Sequence, residues 1–162
     1  MNKSFTTTLG LTRIAMGLIF LWAFFDKLFG LGFATSPEKA WLAGISPTSG
    51  FLQNSTEGPF GRIFQSLAGS AVVDWLFMLG LLLIGIALVF GIAMRLASYA
   101  GALLMSLMWL ATLLPEHHPF LDEHIIYALV LLLCAFGNAG TYLGLTKFWH
   151  QTKLVQKIPI LK

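Results

Sequence analysis

The sequence predicts an all-α integral membrane protein, a four-transmembrane-helix bundle with an extracytoplasmic loop that contains short interfacial or re-entrant helices. Composition is the first ground. Of the 162 residues, 57% are hydrophobic and 10% charged, and the mean hydropathy is +0.79, far enough above soluble domains that lipid is the solvent to reason with. Length is the second. A helix needs about 20 largely apolar residues to cross a bilayer, and four stretches qualify, at 9–29, 71–93, 96–114 and 125–146. The third is the placing of Lys and Arg, which concentrate on the cytoplasmic side. The termini and the turn between spans two and three hold Lys3, Arg13, Arg95, Lys147, Lys153, Lys157 and Lys162; the opposite side holds Lys27, Lys39 and Arg62. A single membrane domain, 1–162, is therefore expected in the cell membrane, multi-pass and with both termini cytoplasmic. The formal charge of +3 comes from that asymmetry and points to acidic lipid headgroups, not to nucleic acid.

The first span reads as retained, because its apolar part is longer than that of a signal peptide and Arg13 interrupts it. Arg13 lies about one turn inside. Either it snorkels to the inner interface, or it shares an inward face with Gly17 and Lys27, which fall within about 40° of it at about 100° per residue. Asp26 and Lys27 mark the span's outer end, where a carboxylate could also meet the histidines of the second loop.

A cap loop, 31–70, comes next. Ser36-Pro37-Glu38-Lys39 combines a cap residue, a proline at the first helical position and an acid in the first turn, which predicts a short helix through Trp41 that stops near Gly44. Phe60, Ile63, Phe64 and Leu67 recur at helical spacing and predict an interfacial or re-entrant helix. The stretch between them, SPTSGFLQNSTEGP, reads as turns. Asp74 then stands at the N-terminus of the second span, where the helix dipole favours a carboxylate. Gly91 to Arg95 is short enough to make spans two and three a tight antiparallel hairpin, and Ala97 with Gly101 permits close backbone approach.

The densest ionisable cluster precedes the fourth span: Glu116, His117, His118, Asp122, Glu123 and His124. Asp122 reads as a helix cap. His124, beside Asp122 and Glu123 at a membrane boundary, suits proton transfer. His117 and His118 diverge on any regular helix, and the spacing lacks the tighter pattern of a structural metal site, so no metal is expected. Continued as a helix to Thr146, the span would carry Tyr127, Asn138 and Tyr142 on the side of His124, a polar stripe facing the bundle interior. The stripe either bonds neighbouring helices or lines a slot for a lipophilic head. The lone Cys134 excludes an intramolecular disulfide. The basic tail, 147–162, is expected in the cytoplasm.

Taken together, RIAMGLIFLWAFFDKLFG, AWLAGISPTSGFL, VDWLFMLGLLLIGIALVFGIAMR and PFLDEHIIYALVLLL followed by AGTYLGLTKFW resemble the DoxX family of small four-helix membrane proteins over nearly the whole chain. The resemblance covers Arg13, Asp26, Lys27, Trp41, Asp74, Asp122, His124 and Tyr127, and leaves out His117 and His118. It implies a prokaryotic membrane protein related to the DoxD-type subunits of thiosulfate:quinone oxidoreductase. The activity it implies is that of a quinone-linked oxidoreductase, or of its membrane subunit, in sulfur or redox-stress metabolism. Catalysis would fall to His124, Asp122 and Glu123, and quinone binding to Asp26, Lys27, Arg13, Trp41, Tyr127 and Asn138. Quinone is the expected cofactor, present as substrate, and lipid and quinone are the small partners. No flavin, haem or cysteine-pair signature is present, so electrons would come from the substrate or from a second oxidoreductase subunit. The rival class is a non-enzymatic scaffold that recruits a redox partner protein. Permeation would require a homo-oligomer, since four helices leave little room for a pore.

Overall fold

Asn2 sets the start of the first helix by accepting the Ser4 N–H through its side chain. In the computed structural model, which describes residues 2–56, 58–113, 118 and 120–161, α1 (Lys3–Phe29) then runs unbroken to Gly30. It begins earlier than the predicted 9–29. Gly30 closes it in the left-handed conformation, φ 66°, returning its N–H to the Asp26 carbonyl. The long helices α4 (Ala71–Phe90) and α5 (Met94–Ala111) come after the cap loop. Gly91, again left-handed, ends α4 earlier than expected and makes the tight hairpin that the short connection predicts. Leu114, Glu116 and His117, which entered the predicted third span and polar loop, lie outside the described residues.

Three helices, α1, α4 and α5, are long and apolar enough to cross a membrane. The fourth predicted span needs correction. Its helix, α6 (Glu123–Phe136), has 14 residues, about 21 Å at 1.5 Å each, against about 30 Å of bilayer hydrocarbon. The chain leaves the helix at Gly137, Asn138 turns left-handed at φ 49°, and a 3-10 turn (Ala139–Thr141) takes over. Asn138 and Tyr142 therefore do not extend a stripe along this helix. The Gly137-Asn138 pair is the sequence signal for the stop, hidden by apolar residues on both sides.

Packing pairs α1 with α4, α4 with α5 and α5 with α6, around a core that includes Phe20, Met78, Leu88, Leu131 and Cys134. Where α1 meets α4, Gly17 and Gly85 let the backbones touch: a Cβ on Gly17 would stand 2.8 Å from the Val89 nitrogen, and one on Gly85 3.0 Å from that of Leu21. Gly101, paired in sequence with Ala97, instead makes room for side chains: a Cβ there would stand 3.0 Å from a Leu131 methyl and 3.3 Å from one of Ile84. The outward faces are apolar, with Leu18, Leu76, Leu83, Leu103 and Phe136 exposed. Such surfaces fit contact with lipid.

The loop and the tail hold more short helices than the sequence predicts. In place of one short helix, the Pro37 stretch makes two 3-10 turns (Pro37–Lys39 and Trp41–Ala43), which stop at Gly44 as expected. The exposed Glu38 carboxyl is held below its ordinary value by its own backbone N–H and then by the Ser36 hydroxyl. The stretch read as turns forms α2 (Ser49–Asn54), and α3 (Gly61–Gln65) falls inside the predicted 60–67 helix. At the other end of the bundle, α7 (Thr146–His150) and α8 (Lys153–Lys157) fold back so that Val155 is fully buried and Trp149 Nε1 donates to the Leu161 carbonyl at 2.6 Å.

Candidate functional site

One end of the bundle gathers the cap loop, the C-terminal ends of α1 and α5 and the starts of α4 and α6; this is the loop end. Two buried carboxylates hold it together. Asp74, in the first turn of α4, accepts from Ser46 Oγ at 2.8 Å and Thr48 Oγ1 at 2.5 Å, so its role extends beyond the helix dipole to pinning the loop onto the bundle. Asp26, 2% exposed, accepts the Phe33 and Ala34 backbone N–H groups at 3.2 and 3.0 Å and turns the chain back after α1. Asp74→Ala leaves two hydroxyls without their acceptor, and each such loss costs about 1–3 kcal/mol. The expected result is faster protease cleavage within 45–70 with the helices intact, seen by limited proteolysis in detergent.

Asp122 is the N-cap of α6: Oδ1 accepts the His124 and Ile125 N–H groups at 3.1 and 3.3 Å, as the sequence predicts. Its Oδ2 lies 2.7 Å from His124 Nδ1, the one ion pair among the described residues. The carboxylate thus fixes the imidazole, leaving Nε2 as the nitrogen that can exchange a proton. Glu123 is exposed beside them. One ligand atom each from Asp122, Glu123 and His124 lies within 4.8 Å of the others, but Asp122 already commits both oxygens to the cap and the imidazole. His118 is an anchor of the turn, its Nδ1 accepting the Phe120 and Leu121 N–H groups at 3.1 and 2.9 Å.

A cavity of about 310 Å³ lies between the cap loop and the α4–α5 pair, with Leu52 and Phe64 on the loop side and Phe77, Leu104 and Met108 on the bundle side. Lys27 is the one charged residue in its wall among the described residues. Its Nζ stands 5.9 Å from the Phe77 ring centroid, and no described carboxylate pairs with it. A wider outward groove of about 680 Å³, walled by Leu18, Trp22, Phe25 and Phe33, also reaches Lys27 and Asp26. The sequence singled out Lys27 but missed the cavity, whose apolar walls come from four separate segments.

The remaining residues are dispersed. Trp41 packs edge-on against Trp75, ring centroids 4.7 Å apart, and Tyr127 lies half-buried against the core. Asn138 is exposed at the opposite end from His124, about 20 Å away along α6. Arg13, which snorkelling would place at the surface, is fully buried. Its guanidinium donates to the carbonyls of Leu88, Val89 at 3.0 Å, Tyr142 at 3.2 Å and Leu143 at 2.9 Å. These define an all-helical protein with three helices able to cross a membrane and an apolar cavity under its loop. No family model, curated protein or solved structure matches the chain.

Proposed function

We propose that this chain is a quinone-linked membrane oxidoreductase of thiosulfate:quinone type, or the membrane subunit of one, as its resemblance to the DoxX family implies. The observation that carries the reading is the Lys27 cavity. Its volume sits at the lower end of the range for small-molecule sites, about 300–1,000 Å³, its walls are apolar, and the Lys27 ammonium, paired with no described carboxylate, can donate to a quinone carbonyl. The groove outside α1 supplies a path from lipid to the same lysine. Reduction of quinone to quinol takes up two electrons and two protons. A donor such as thiosulfate, or a second subunit, supplies the electrons, and His124, oriented by Asp122, passes protons in from the loop end. In this reading α6 and the turn behind it complete a fourth crossing, and both termini are cytoplasmic.

Purified protein in lipid nanodiscs, titrated with a short-chain quinone, is the test. Lys27→Met is expected to weaken quinone binding about tenfold or more, the weight of a charge-assisted hydrogen bond. His124→Ala is expected to keep binding and lose turnover. Undetectable binding to the wild type, or equal binding by Lys27→Met, rejects the site. A scaffold would tolerate both substitutions while still recruiting its partner.

A further inference from the structure

The end of the bundle that carries the two termini lacks described acids. Asp26, Glu38, Asp74, Asp122 and Glu123 all belong to the loop or to helix ends beside it, whereas Lys3, Arg13, Arg95, Lys147, Lys153 and Lys157 belong to the tail end. Between the start of α5 and the turn after α6 this end holds a second cavity, of about 230 Å³. Arg95, Asn138 and His150 stand in its wall, brought there from three separate elements. None of these three side chains has a hydrogen-bond or ion-pair partner among the described residues. The hydroxyls of Thr141 and Thr146, also in the wall, donate to the carbonyls of Asn138 at 2.8 Å and Gly91 at 2.5 Å. They hold the turn in place and leave the free donors to Arg95, Asn138 and His150.

We propose that this cavity binds a phosphate oxyanion, with the Arg95 guanidinium as the principal donor and Asn138 and His150 closing around the remaining oxygens. Arg presents a planar fork that matches phosphate, and the described side chains at this end contribute positive charge and no carboxylate, a field that attracts an anion. The group can be the headgroup of an anionic phospholipid or free phosphate. The surroundings bring a bilayer surface within reach: Phe148 is 72% exposed and Ile160 67% exposed, beside Lys147, Lys153 and Lys157, which is the arrangement of an interfacial segment. The site stands at the opposite end from Lys27 and owes nothing to the quinone reading.

The experiment compares wild type, Arg95→Gln and Lys153→Gln, the last removing one tail-end charge outside the cavity. Each protein is titrated with inorganic phosphate, and each is assembled into nanodiscs of mixed phosphatidylglycerol and phosphatidylcholine, with the lipids it retains identified by native mass spectrometry. Arg95 is exposed, so the variant keeps its fold, and an unchanged helical circular-dichroism spectrum and thermal midpoint serve as the independent check of that. The expected result is retention of phosphatidylglycerol by wild type that falls about tenfold in Arg95→Gln and is unchanged in Lys153→Gln. Phosphate binding lost in Arg95→Gln without lipid retention assigns the free anion to the site. Neither ligand bound by wild type, or equal loss in Lys153→Gln, overturns the proposal, because diffuse charge then accounts for everything.

Discussion

Arg13→Met is expected to lower the unfolding free energy by about 4 kcal/mol, measured by denaturation in detergent micelles. The last four carbonyls of a helix have no partner within it, and in α4 every one finds an external donor. Ala87 receives the Gly91 and Ile92 N–H groups, Leu88 and Val89 receive Arg13, and Phe90 receives Leu145 N–H at 2.8 Å. The same guanidinium holds the Tyr142 and Leu143 carbonyls of the turn after α6. Methionine fills the volume but orphans four acceptors, each worth about 1–3 kcal/mol when buried and unsatisfied. Relief from burying a charge returns part of that sum. Arg13→Lys is expected to recover only part of the loss, because an ammonium lacks the planar fork that reaches two helix ends at once. Stability unchanged in Arg13→Met would falsify the clamp.

Gly17→Val is expected to cost about 3 kcal/mol or more and to lower the thermal midpoint sharply, since its β-carbon meets backbone atoms as well as the Val89 side chain. The Val89 nitrogen at 2.8 Å and the Gly85 oxygen at 3.0 Å cannot yield without separating α1 from α4, and overpacking of this kind costs about 1–3 kcal/mol even where side chains can give. Separation would also draw Arg13 away from Leu88 and Val89. Gly80→Ala is the control. Nothing lies within 4 Å of its added β-carbon, so removal of a helical glycine is expected to be neutral or to stabilise by about 0.5–1 kcal/mol. Equal effects in the two variants would show that α1 and α4 are not in backbone contact.

Signals carried by neighbours in the chain are legible. Hydropathy locates α1, α4 and α5, Gly30 and Gly91 mark the ends of the first two, and the Asp122 cap stands where its residue type predicts, with His124 beside it. The same local signals fail at α6, because apolar residues continue past Phe136 and a hydropathy window cannot register that the backbone has turned. They also fail for SPTSGFLQNSTEGP, where Ser46 and Thr48 look like turn residues until Asp74 is seen to hold them.

By itself the sequence determined a membrane-suited helical protein, its three long helices and the chemistry gathered before α6. Only the tertiary structure decided where Arg13 goes, why the last helix can stop early and which walls enclose Lys27. The physical reason is range. The carbonyls that hold Arg13 come from positions 75 to 130 residues further along, and a broken helix among apolar neighbours is stable only where such a distant donor satisfies it.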